Sequence, residues 1–111
     1  MAIAWTGVPH DTPGVVDNAR DYEQIAKSAR LARDGVLHAN VSRIADGIRC
    51  YYQTQLAEGM PPLVEEASAL AQKYCGGGWG GYALYLFHQK AQRDNWVAAD
   101  SARREIEPFT R

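Results

Sequence analysis

Cysteine is scarce in this chain, and so is any imbalance of charge. Two cysteines, Cys50 and Cys75, occur in 111 residues. That is too few for a disulfide scaffold and fits free thiols in a cytosolic protein. Three scattered histidines offer no metal-ligand spacing. Twelve basic and thirteen acidic side chains leave a net charge of −1, so there is no basic field to hold nucleic acid. The longest apolar run falls far short of the roughly 20 residues that cross a bilayer. No basic region followed by an apolar stretch marks a signal peptide. Repeats and low-complexity segments are also lacking. These absences leave one globular domain near the commonest domain size, with neither a membrane nor a nucleic-acid partner.

Glycine is concentrated where other features are thin. Five of the ten glycines, Gly76, Gly77, Gly78, Gly80 and Gly81, fall within six residues around Trp79. Directly after them comes the charge-free run 82–87, Tyr-Ala-Leu-Tyr-Leu-Phe. Glycine adopts positive φ and lets backbone approach backbone or ligand. An aromatic apolar run of this length reads as a buried strand. A loop feeding a strand in this way can point N–H groups at an anion, or it can be a tight turn. The run fits neither the dinucleotide fingerprint nor the P-loop, because no Gly-Lys-Ser/Thr follows it.

The remaining chain reads as short elements. Residues 2–6 form an apolar strand stopped by Gly7 and Pro9. A core strand with no lead-in predicts a chain cut from something longer. His10 and Asp11 sit in a loop where capping and turn chemistry compete with an acid/base reading. A helix is expected over 17–33, its apolar stripe including Tyr22, Ile25 and Ala29, with Gly35 closing it. A second is expected over 38–58, capped by Asn40 or Ser42 and ended by Gly59 and Pro61-Pro62. Gly47 within it predicts a close helix contact. Residues 63–74 read as a third helix on the stripe Leu63, Ala67, Leu70, Ala71. A fourth covers 91–104, and 105–109 is a terminal strand. The class is α+β, a small antiparallel sheet with helices packed on one face.

The glycine run and the strand after it resemble the third motif of the GHMP small-molecule kinases, the superfamily of galactokinase, homoserine kinase and mevalonate kinase. Lys73 stands at that motif's lysine, Gly76, Gly78, Gly80 and Gly81 at its glycines, and Tyr82 at its aromatic. Gly77 replaces the usual alanine or serine, and Trp79 replaces a glycine. The opening strand with Thr6-Gly7, the segment from Tyr51 to Leu63, and Glu107-Pro108-Phe109 are similar to the heptose- and fucose-kinase-like branch. The resemblance implies a ferredoxin-like C-terminal kinase domain whose loop, Lys73 and Gly76 to Gly81 including Trp79, lines the nucleotide and substrate cleft. The family's ATP-binding loop and catalytic aspartate have no counterpart, so it implies no catalytic residue here. ATP and Mg would be needed only by a complete kinase.

With three strands legible, the resemblance further implies that a fourth lies before Met1. A homo-oligomer or a missing N-terminal kinase domain would cover the open edge. The other reading is a stand-alone α+β interaction or small-molecule-binding module without kinase activity. Tyr51, Tyr52, Tyr74, Tyr82 and Tyr85 read first as core aromatics at helix and strand spacing, and a sugar ligand lying against them is the other reading. Lys73 could touch a phosphate or solvent. Arg20, Lys27, Arg30 and Arg33 read as a solvated helix face, and Cys50 and Cys75 as buried thiols.

Overall fold

Two helices meet at their glycines. In the computed structural model, which describes residues 1–7, 22–75 and 80–106, α1 spans Tyr22–Leu37 and α2 spans Val41–Ala57. Asn40 caps α2, its side-chain oxygen accepting from the Arg43 N–H at 3.2 Å. A Cβ at Gly47 would lie 2.7 Å from the Ala32 backbone nitrogen and 2.8 Å from the Ser28 carbonyl oxygen. The close contact expected there is present. Gly35 does not close α1, which runs on to Leu37. A Cβ at Gly35 would lie 2.6 Å from the Ile44 nitrogen. Its missing side chain therefore admits the neighbouring helix rather than supplying a left-handed cap.

The strands are β1 (Ala2–Trp5), β2 (Ala71–Tyr74), β3 (Tyr82–Leu86) and β4 (Arg103–Glu105), and α3 (Lys90–Ala98) lies between the last two. They form one antiparallel sheet in the order β2-β3-β1-β4. Ala2 lies opposite Tyr85 and Ala4 opposite Ala83. Alternation then puts Ala2, Ala4, Ala83, Tyr85 and Tyr74 on one face, and Ile3, Leu84, Leu86, Ala71 and Lys73 on the other. The core divides the same way. Ala2, Ala83, Tyr85 and Phe87 pack with Trp96 of α3. Ala71 and Leu86 pack with Ala45 and Ile48 of α2.

Three expectations change here. The helices lie on both faces of the sheet, not one, because Trp96 anchors α3 opposite to α2. Residues 63–74 are not a helix: Ala71–Tyr74 is β2, and its partner strand outweighs the weak helical stripe. The segment before β2 is held piecewise. The Leu63 N–H donates to the Tyr52 hydroxyl at 2.8 Å, and the Leu70 N–H donates to the Leu86 carbonyl at 2.8 Å. The sheet thus has a fourth strand, β2, within the chain, where three were expected.

Strand β2 lies at an edge of the sheet, and its outer side is occupied at Tyr74. Gln55 of α2 is fully buried; its amide nitrogen donates to the Tyr74 carbonyl at 3.2 Å, and its amide oxygen accepts from the Tyr74 N–H at 3.0 Å. One side chain thereby replaces a neighbouring strand at that residue. At the C-terminal end, α3 stops at Ala98 and β4 begins at Arg103, earlier than expected. His10, Asp11 and Arg20 lie outside the described residues, as do residues 107–109 of the expected last strand. Among the described residues, no helix is long and apolar enough to cross a membrane.

Candidate functional site

The sheet face turned away from α2 carries a concavity with a volume of about 850 Å³. Ala4, Ala83, Tyr74 and Tyr85 form its floor. The segment 61–66 makes one wall, and Trp96, Asp100 and Arg103 make the other.

Both walls are fixed by hydrogen bonds. The Tyr74 hydroxyl donates to the Pro61 carbonyl at 2.6 Å, and the Gln72 amide nitrogen donates to the Val64 carbonyl at 3.1 Å. Opposite them, the Arg103 guanidinium lies 4.1 Å from the centre of the Trp96 ring. It donates to the Trp96 carbonyl at 2.9 Å and reaches the Glu66 carboxylate at 3.4 Å. Stacking and the ion pair together hold a cation against an aromatic wall. Trp96 packs on Tyr85, with ring centres 4.5 Å apart. The Trp96 Nε1 is buried without a hydrogen-bond partner among the described residues, an uncommon state for a buried donor.

Burial pushes the Tyr85 phenol above its ordinary range, the Glu66 carboxylate adds to the rise, and Arg103 opposes it. Burial, then Tyr52, likewise raises Tyr74. Both phenols therefore stay protonated and keep their donor hydrogens.

The glycine run is only partly in view. Gly76, Gly77, Gly78 and Trp79 lie outside the described residues. Gly80 and Gly81 have φ of +95° and +74°, a backbone that favours glycine. The Gly81 carbonyl accepts from the Thr6 N–H at 2.9 Å and from the Thr6 hydroxyl at 2.8 Å. That ties the run's end to the end of β1. Gly80 and Thr6 both line the pocket.

Lys73 is not brought to this pocket. It sits on the α2 side of the sheet, with its Nζ 4.8 Å from the centre of the Tyr51 ring and donating to the Tyr74 carbonyl at 2.8 Å. Burial lowers its pKa, and Cys75 partly offsets this. Of the five tyrosines, Tyr74 and Tyr85 form the floor, and Tyr52 braces the wall from behind. Tyr51 faces Lys73. Tyr82 lies on the α2 side, with its ring edge-on to Trp5 at 5.3 Å. Lys27, Arg30 and Arg33 are exposed, as a solvated face requires.

Glu66, Trp96, Asp100 and Arg103 were not singled out as site residues from the sequence. Glu66 and Arg103 meet across 37 positions, and no local pattern announces such a pair.

Cys75 is half-buried, and burial raises its thiol pKa while Lys73 opposes the rise. Thiolate is the reacting form. Iodoacetamide at neutral pH should therefore modify Cys75 several-fold more slowly in the folded protein than in the urea-unfolded chain. Time-resolved peptide mass spectrometry checks this, and equal rates would contradict the burial argument.

No group of acidic, histidine or cysteine side chains suited to a metal ion occurs among the described residues. Compared with protein-family models, curated proteins and solved structures, the chain finds no match.

Proposed function

We propose that the pocket holds a small ligand of sugar size, and that the domain does so as the C-terminal part of a GHMP-type sugar kinase, without transferring phosphate alone. One observation carries this reading. Gly80, from the kinase-like glycine run, stands in the wall of a concavity within the roughly 300–1,000 Å³ typical of small-molecule sites. Tyr74, Tyr85 and Trp96 supply the apolar surface against which a sugar ring would lie. In a complete kinase, ATP and Mg would approach from the glycine run. Phosphoryl transfer is mostly positioning and electrostatics, and this domain supplies part of the positioning. The element order β-α-α-β-β-α-β differs by one helix from the ferredoxin-like β-α-β-β-α-β. Helices on both faces depart from that arrangement.

A second reading is a free-standing ligand-binding module. It is favoured by the four-stranded sheet completed within the chain and by the Gln55 cover over the β2 edge.

Titration with glucose and with ATP-Mg, followed by amide chemical shifts and by coupled ADP release, tests the proposal. Sugar-dependent shifts at Tyr74, Tyr85 and Trp96 are expected, with no ADP release. Shifts confined to the helical hairpin, or none, would sink the pocket reading. Sugar-dependent ADP release would overturn the non-catalytic part.

A further inference from the structure

We infer that the pocket selects a ligand carrying a protonated amine on a hydroxylated ring over its neutral and phosphorylated analogues. This rests on the reading of the pocket as a sugar-sized site. The polar groups in the walls are mostly acceptors. Glu66 gives one carboxylate oxygen to Arg103 and keeps the other. Asp100, which is exposed, accepts from the Ala102 N–H at 2.9 Å through Oδ1 and keeps Oδ2. The Tyr74 hydroxyl spends its proton on Pro61 and retains its lone pairs.

Arg103 is the only cation among the described residues lining the pocket, and it is already engaged by Glu66, the Trp96 carbonyl and the Trp96 ring. Two carboxylates against one committed guanidinium leave the site negative, which disfavours a phosphate and favours an ammonium. Free acceptors call for a donor-rich partner, and an ammonium brings three N–H groups. A bare amine would satisfy the carboxylates alone, and a neutral polyol would leave them without a counter-charge. An amine on a hydroxylated ring brings its charge to Glu66 and Asp100 and its hydroxyl donors to the lone pairs of Tyr74.

The test compares glucosamine, glucose and glucose 6-phosphate by calorimetry on the full chain, at mildly acidic pH where the amine is charged. Glucosamine should bind roughly five-fold more tightly than glucose, the upper range for a partly exposed ion pair, and glucose 6-phosphate most weakly. The preference should shrink as salt is raised. Asp100→Asn keeps the acceptor for the Ala102 N–H and removes the charge, so it should bring the glucosamine and glucose affinities closer to equal. Equal affinity for glucosamine and glucose, or tightest binding of the phosphate, would overturn the inference and leave the sugar pocket standing. Binding of none of the three would overturn the pocket reading itself. The wild-type comparison needs no variant, so a misfolded Asp100→Asn protein cannot rescue the idea.

Discussion

Gln55→Leu should destabilise the protein by roughly 1–3 kcal/mol, seen as a lower urea midpoint with an unchanged denaturant slope. The estimate comes from one group, the Tyr74 N–H. Gln55 is fully buried, and its amide serves both the N–H and the C=O of Tyr74. Removing it leaves the Tyr74 N–H a buried, unpaired donor, at about 1–3 kcal/mol, while the Tyr74 carbonyl keeps the Lys73 Nζ at 2.8 Å. Leucine recovers part of that through apolar burial. Gln55→Glu separates packing from hydrogen bonding: a carboxylate can still accept from the Tyr74 N–H but cannot donate to its carbonyl, and it adds a buried charge. It should cost at least as much as leucine at neutral pH. A loss below about 1 kcal/mol for both variants would show that water or a neighbour satisfies Tyr74 without Gln55.

Gly47→Ala should also destabilise, by about 1–3 kcal/mol, although alanine is the better helix former. Propensity alone favours alanine by roughly 1 kcal/mol. The new Cβ would stand 2.7 Å from one backbone atom of α1 and 2.8 Å from another. Backbone cannot swing aside as a flexible side chain does, so the two helices must separate. Separation loosens the whole contact, and overpacking of this kind typically costs about 1–3 kcal/mol. Thermal unfolding of the variant reads the sign directly. A raised midpoint would mean that α1 and α2 tolerate a wider crossing.

The two glycines show what could be read from the sequence and what could not. Gly47 sat in the middle of a strong helical pattern, so a close contact was its natural explanation, and the contact is there. Gly35 sat near a helix end, where capping and close packing leave the same trace. Only the position of Ile44 separates them. The boundaries of α2 were legible because Asn40 and Gly59 carry local chemistry, a side-chain cap and a φ of +100°. Strand β2 was not legible. Its four residues, Ala-Gln-Lys-Tyr, carry no strand signal, and they extend only because β3 and Gln55 lie on either side of them. The pocket was legible by halves. Its floor could be suspected from the tyrosines. Its walls depend on Glu66 and Arg103 meeting through space, and Lys73, adjacent in sequence to Tyr74, points through the sheet to the opposite side by simple alternation.

Strand β1 occupies a central place in the sheet, between β3 and β4. It precedes the other three strands in the chain and must wait for the last two. Each of its ladders closes a loop of about 80 to 100 residues, whereas the helical hairpin closes over a few. Closure entropy grows with loop length, and distant pairings slow folding. The helical hairpin is therefore the early event. On a ribosome, both flanks of β1 stay bare until β3 has emerged. Ala2, Ile3 and Ala4 are then exposed backbone and apolar surface at once, the combination that invites pairing with the wrong chain. For this fold, the vulnerable interval is the time between the appearance of the first strand and the arrival of β3.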